Sequence, residues 1–280
     1  MRVRNSRLVG HDNRSVPFVT SPNTGGALAG GRPRFLVIHY TAGGQASGSI
    51  AWFANRDSKV SAHLVIDREG KITQMVPFDT VGHHAGASRW KGVNGLNRHS
   101  VGIELANWGQ LRRSGAGGWL SATGQAVPGE RVVLAEHRNS PGIEHGWEVF
   151  DEAQFFAAVA AAQAIVREYG IGPTDVVGHD DISPGRKIDP GPALPMAKFR
   201  SLVFGRAEDE DGAFRARVRS DTGLNLRTEP RVSGELIRNL SDGTLLRVLE
   251  AQGLWWMVSE LDDAGERPAG FVNSRFLEEV

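Results

Sequence analysis

A run of four acidic residues, Glu208-Asp-Glu-Asp211, divides this chain into two stretches whose apolar residues follow different patterns. Before it, short apolar runs alternate with helical stretches, the mark of an α/β domain. Phe35-Leu-Val-Ile-His39 reads as a buried strand closed by Thr-Ala-Gly-Gly, and Ser47 or Ser49 caps a helix through about Asn55. Ala62–Asp67 and Lys71–Val76 flank Arg68-Glu69-Gly70 as a hairpin, and Ser100–Ala106 is a further strand. Asp151 opens the strongest helix. Asp151 and Gln154 stand at capping-box spacing, Phe155, Val159, Ala162, Val166 and Tyr169 mark one face, and Gly170 is the stop. Asp175-Val-Val-Gly-His179 returns to strand. After the acidic run, Leu224-Asn-Leu-Arg227, Thr244–Leu249, Trp255-Trp-Met-Val258 and Gly270-Phe-Val272 are closely spaced β-like runs with turns between, the pattern of a small all-β barrel.

The expected organisation is therefore an irregular arm over 1–34, an α/β domain over 35–205 and an acidic linker over 206–214. A β-barrel follows over 215–280. Residues 107–150 hold many glycines and no clear period, so a long loop or cap is expected there, and such loops are often functional. The 280-residue length agrees with about two domains. The 32 basic and 32 acidic residues cancel, which speaks against a nucleic-acid partner. Arg2, Arg4 and Arg7 precede no apolar stretch of signal-peptide length, and Phe155–Val166 is too short to span a bilayer. A chain made in the cytoplasm, without a signal peptide or membrane insertion, is expected.

The chain contains no cysteine, which removes disulfides, thiol nucleophiles and every cysteine-based metal site. Any metal must be held by His, Asp or Glu, and nine histidines are present. His39 closes one apolar strand and His179 another, and Asp189 stands ten residues beyond His179 in Arg186-Lys-Ile-Asp-Pro-Gly191. A histidine from each of two strands plus one carboxylate would make a three-ligand zinc site with an open fourth position. A lone strand-end histidine is more often a satisfied core or surface residue, and these separations fit no local metal motif. In Ser100–Ala106 the alternation puts Val101, Ile103 and Leu105 on one face and Glu104 between Gly102 and Ala106 on the other. That arrangement suits either the floor of a cavity or a solvated outer face. Lys187 would bring a cation to the same place if the metal site forms.

Five blocks in order, Val37-Ile-His39-Tyr-Thr41, Ser61-Ala-His63, Gly82-His-His84-Ala-Gly86, Val101-Gly-Ile-Glu104-Leu and Gly178-His179-Asp-Asp-Ile-Ser-Pro-Gly-Arg-Lys187-Ile-Asp189-Pro-Gly-Pro, closely resemble the zinc-dependent N-acetylmuramoyl-L-alanine amidases. That family shares its fold with peptidoglycan recognition proteins, and the likeness covers roughly residues 33–204. Residues 215–280 resemble a bacterial Src-homology-3-type domain. The resemblance implies a mixed central sheet flanked by helices, with one zinc held by His39, His179 and Asp189. It implies Glu104 as the catalytic carboxylate and Lys187 as a polarising cation. His84 and Asn107 are implied to line the substrate groove, with His63 in a supporting place next to the metal site. His83 stands where a tryptophan often precedes the His-Ala-Gly motif, and 107–150 is longer than in compact members. A cap carrying His137, His145 and Trp147 is expected to narrow substrate choice.

The implied reaction is hydrolysis of the amide between N-acetylmuramic acid and L-alanine by a monomer whose partner is peptidoglycan or muropeptides. It would run in cytosolic muropeptide recycling, or on the wall after lysis or non-classical secretion. Non-catalytic peptidoglycan-binding relatives usually lack a zinc ligand, and this chain keeps all three candidates with Glu104. A zinc endopeptidase acting within the stem peptide is set aside by the resemblance alone.

Overall fold

Four apolar runs far apart in sequence pair in parallel, and one turns back. The computed structural model describes residues 1–10, 12–115, 117–204, 214–252, 254–260 and 269–280. In it the central sheet has the order Val176–Gly178, Phe35–Tyr40, Ser100–Leu105, Leu64–Ile66, Ile72–Gln74. Only the last is antiparallel to its neighbour. Strands covered on both faces read as continuous apolar runs; accordingly Phe35, Leu36, Val37 and Ile38 are all buried. The register sets Glu104 opposite His39, Gly102 opposite Val37 and Gly178 opposite Ile38. Because side chains alternate between faces, Glu104 and His39 share one face at one level.

The long helix spans Glu152–Tyr169, with Ala158, Ala161, Ala162 and Ile165 fully buried and Gly170 closing it in the left-handed region at φ 67°. Asp151 is its N-cap residue, yet the expected capping box does not form. The Asp151 carboxylate accepts from Arg131 at 2.9 and 2.8 Å instead. Gln154 turns into the sheet, donating to the carbonyls of Ile66 and Ala106 at 3.0 and 3.1 Å. A second helix of this half, Ala46–Ala54, buries Phe53 and Ala46 against Val65, Met75 and Ala106.

Three segments differ from expectation. The arm is not irregular throughout: Arg2–Arg4 and Arg7–Val9 form a hairpin that buries Leu8, whose N–H donates to Gln74 Oε1 at 2.9 Å. Further on, Phe18 bridges Gln74 in parallel and the Val19 N–H donates to the Gln74 carbonyl at 3.0 Å. The arm thus covers the edge strand of the sheet, which would otherwise expose unpaired backbone groups.

Residues 107–150 are not a loop but a second, antiparallel sheet, in the order Ala126–Val127, Trp119–Leu120, Gln110–Arg113, Glu144–Glu148, Val132–Glu136. Its strands are two to five residues long, too short to show a period between glycine turns. His179 does not end a strand; it opens the short helix His179–Ile182 directly after Gly178, whose N–H is held by Asp181 Oδ2 at 2.7 Å.

The chain divides into two compact units, Met1–Ala193 and Leu194–Val280. The helix Met196–Phe204, within the expected bounds of the α/β domain, falls in the second unit, where Ala197 joins the core of Ala216, Val218, Leu224, Leu226, Leu246, Val258 and Val272. That unit carries a seven-stranded antiparallel sheet among its described residues. Of the expected linker 206–214, all but Phe214 lies outside the described residues. Among the described residues no helix is long and apolar enough to cross a membrane.

One buried carboxylate fastens the second sheet to the first unit's core. Glu148, only 2% exposed, pairs with Arg68 at 2.9 Å and Arg131 at 3.2 Å and accepts the Trp108 N–H at 2.7 Å. Glu148→Ala strips three donors of a charged partner and is expected to cost about 1.5–3 kcal/mol, on the scale of hydrogen bonds to charged groups. Urea unfolding followed by tryptophan fluorescence measures this, and a midpoint equal to wild type contradicts it.

Candidate active site

His39 ends its strand on the same face as Glu104, and His179 begins its helical turn at the C-terminal end of the neighbouring strand. Open parallel sheets gather their sites at this end of the strands. Asp189 reaches the same point because the Asp180 N–H, next to His179, donates to the Asp189 carbonyl at 2.8 Å. His39 Nδ1, His179 Nδ1 and Asp189 Oδ2 form a triangle with sides of 3.0, 3.0 and 2.9 Å. All three residues are buried, and the cluster meets the geometric requirement for holding a metal ion.

The surrounding hydrogen bonds settle where the imidazole protons sit. Ser100 Oγ gives its proton to the Leu96 carbonyl at 2.7 Å, so at 3.4 Å from His84 Nε2 it acts as acceptor. His84 then carries its proton on Nε2 and accepts at Nδ1 from His39 Nε2, at 3.0 Å. His179 Nε2 faces the Ala85 carbonyl at 3.1 Å and must donate to it. In the neutral imidazoles both Nδ1 atoms are consequently bare. Burial, then the neighbouring His179, lowers His39 to about 4 and so keeps it neutral at ordinary pH. Asp189 Oδ2 stands 3.0 and 2.9 Å from these two Nδ1 atoms, which have no proton to give it. Two bare nitrogens and a carboxylate oxygen about 3 Å apart fit a tetrahedral divalent ion, for which bonds of roughly 2.0–2.1 Å put ligand atoms about 3.3 Å apart.

Glu104 is only partly covered as a residue, yet its Oε2 is buried and has no hydrogen-bond partner among the described residues. Burial, then the charge of Asp189, pushes this carboxyl well above its ordinary range, while Lys187 pulls the other way. Lys187 is thus close enough for its charge to act on both Glu104 and His39. The solvated-face alternative for Glu104 does not hold, because Gly102 on that face lies beneath the His84 ring.

The expected groove residues His84 and Asn107, and the supporting His63, each sit in a hydrogen-bond network. His63 is fully buried, its Nε2 on the Thr80 carbonyl at 2.9 Å and its Nδ1 accepting the Gly102 N–H at 3.0 Å. Asn107 is fully buried and ties backbone together: it donates to the Val149 carbonyl at 3.1 Å and accepts the Gly109 N–H at 2.7 Å. His84, 9% exposed, orients His39. Buried polar atoms are matched to partners, as these are. In the second sheet Trp147 is fully buried and His137 nearly so, which leaves His145 as the partly exposed member of the trio expected to narrow the groove.

Sequence reasoning missed what supports the site. Asn97 Oδ1 accepts the N–H groups of His84 and Ala85 at 3.0 and 2.7 Å. Arg186 bonds the carbonyls of Ala85 and Ala87, both at 2.9 Å. No motif marks Asn97; the only sequence signal was its nearness to the His-Ala-Gly block.

Comparison with known proteins agrees with this geometry. A family model described as N-acetylmuramoyl-L-alanine amidase matches residues 29–192, and one described as bacterial SH3 domain matches residues 222–278. The N-acetylmuramoyl-L-alanine amidase AmiD of Escherichia coli (strain K12) is 34% identical over 185 residues, covering 64% of this chain and 56% of AmiD. The 1,6-anhydro-N-acetylmuramyl-L-alanine amidase AmpD of the same organism is 32% identical over 145 residues, covering 52% of this chain and 59% of AmpD. The N-acetylmuramoyl-L-alanine amidase A of Achromobacter lyticus is 39% identical over 179 residues, 60% of this chain and 82% of that protein. The chain thus spans somewhat more than half the length of AmiD and of AmpD.

A Cβ on Gly102 would sit 2.5 Å from His84 Nδ1. Gly102→Ala must therefore push His84 Nδ1 away from the His39 Nε2–H that it accepts. Loss of such an orienting partner lowers metal affinity about 10–100-fold. Competition with a chromogenic chelator measures the change, and unaltered zinc affinity would contradict the assignment of His84.

Proposed function

The chain belongs to the N-acetylmuramoyl-L-alanine amidase family, and from that membership we propose that it hydrolyses the amide between N-acetylmuramic acid and L-alanine in peptidoglycan. The observation that carries the reading is the triangle of bare acceptors beside the unpartnered Oε2 of Glu104. His39, His179 and Asp189 would hold one zinc ion. When bound, zinc supplies a water whose pKa falls to about 7 and a Lewis acid for the amide carbonyl.

The chain's own groups perform the proton work. Glu104 accepts a proton from the attacking water at Oε2 as the new C–O bond forms. It returns a proton to the alanine nitrogen as the C–N bond breaks, so the products are a muramic-acid carboxylate and a free L-alanine amine. A raised carboxyl suits this double duty, because a base whose pKa lies nearer the working pH can also act as the acid. Lys187 supplies positive charge against that developing on the amide oxygen. The all-β unit is read as holding polymeric wall, which a cytosolic enzyme recycling small muropeptides would not need.

Glu104→Gln keeps shape and hydrogen-bonding reach but cannot take a proton at neutral pH. We expect it to retain zinc while kcat on a muramyl peptide falls about 10²–10⁴-fold. Loss of zinc would make Glu104 a ligand, and near-wild-type turnover would remove it from the chemistry. Wild-type digests of sacculi should gain L-alanine amino groups and no reducing sugars; amines of any other residue would point to an endopeptidase.

A chain ended after Ala193 is expected to cleave soluble muropeptides as before and to lose retention on insoluble sacculi, since the second unit's contribution to local concentration is gone. Loss of cleavage on soluble substrate would place part of the catalytic apparatus beyond residue 193.

A further inference from the structure

The loop from His179 to Asp189 carries two of the three proposed ligands and Lys187, and three consecutive residues of the second sheet's Glu136–Ser140 turn grip it. His137 Nε2 lies 3.1 Å from Asp180 Oδ2, while its Nδ1 accepts the Asn139 N–H at 3.1 Å. The ring proton is therefore on Nε2 and is donated to Asp180. Arg138 pairs with the same Asp180 oxygen at 3.3 Å and reaches Asp181 Oδ1. Asn139 Nδ2 donates to the Lys187 carbonyl at 2.9 Å.

Asp180 is the residue that matters. Its N–H holds the Asp189 carbonyl at 2.8 Å, so a shift of Asp180 moves His179 on one side and Asp189 on the other. His137 is 2% exposed and Asp180 5%, so this contact is shielded from water, where a hydrogen bond to a carboxylate is strong. The His137 ring also lies 5.6 Å from that of Trp147, fully buried, whose own Nε1 is fixed on the Ala135 carbonyl at 3.0 Å. Trp147 lies in turn over Gly191, two residues past Asp189, where a Cβ would come within 2.5 Å of the indole. The second sheet thus bears on both ends of the ligand loop through rigid, buried groups.

We propose that His137, Asn139 and Asp180 form a clamp by which the second sheet positions Asp189 and Lys187, His137 acting through Asp180 and Asn139 through the Lys187 backbone. The insertion then belongs to the catalytic apparatus as a support for the ligand loop rather than as a lid that selects substrates. The inference rests on the amidase reading for Lys187 and on the zinc reading for Asp189. Its consequence splits in two: the His137 branch acts on metal affinity, and the Asn139 branch acts on turnover alone.

Both branches are testable in the full-length chain. His137→Ala should lower zinc affinity about 10–100-fold in chelator competition and change the visible spectrum of the cobalt-substituted protein. His137→Gln can still present an N–H to Asp180 and should restore the spectrum and most of the affinity. Asn139→Ala, at a partly exposed site, should keep zinc affinity while kcat falls several-fold with little change in KM. The clamp is overturned if His137→Ala binds zinc with wild-type affinity, or if the Gln and Ala variants lose affinity equally. It is also overturned if Asn139→Ala turns over at the wild-type rate. Zinc-dependent results that follow this pattern in a protein that cleaves no muramyl amide would remove the amidase reading and leave the His137 branch standing.

Discussion

Two unprotonated imidazole nitrogens and one carboxylate oxygen packed about 3 Å apart repel one another unless positive charge lies among them, and the first unit is organised around that constraint. The imidazole protons are assigned elsewhere: His39 gives its Nε2–H to His84, and His179 gives its own to the Ala85 carbonyl. Burial opposes a second proton on His39. A divalent cation satisfies all three atoms at once, and metal binding of this kind requires neutral imidazoles and an ionised carboxylate.

The sheet makes this triangle inexpensive to assemble. Parallel pairing in register brings His39 and Glu104 side by side, and Gly178 opposite Ile38 delivers His179 at the next position. His39, Glu104 and His179 thus come from the ends of strands fixed by backbone hydrogen bonds, and the Asp180 N–H brings Asp189 to them. Gly102 leaves room for His84, and the Gly102 N–H is itself held by His63. Histidines that look alike in sequence therefore divide into candidate ligands, an orienting partner and a backbone anchor according to what their second nitrogen meets.

This explains which parts were legible beforehand. Continuous apolar runs revealed the buried parallel strands, and alternation in Ser100–Leu105 put Glu104 on the correct face. The candidate ligand set was readable only through resemblance, because His39 and Asp189 are 150 residues apart and meet only in the folded structure. The second sheet was not legible: strands as short as Trp119–Leu120 carry no period, and their stability comes from cross-strand pairing and from Glu148. Local capping logic failed at Asp151 because Arg131, twenty residues away, makes two hydrogen bonds to its carboxylate and outcompetes the backbone. The partners of His84 and Asn107, His39 and the backbone around Val149, are likewise set by tertiary contacts and carry no local sequence signal.

Anomalous diffraction at the zinc absorption edge, from crystals of the protein loaded with one equivalent of zinc, tests the central claim most directly. The account predicts one anomalous peak per chain, bonded to His39 Nδ1, His179 Nδ1 and Asp189 Oδ2, with His84 still hydrogen-bonded to His39. A peak elsewhere, ligation through either Nε2, or no peak at the triangle would contradict it.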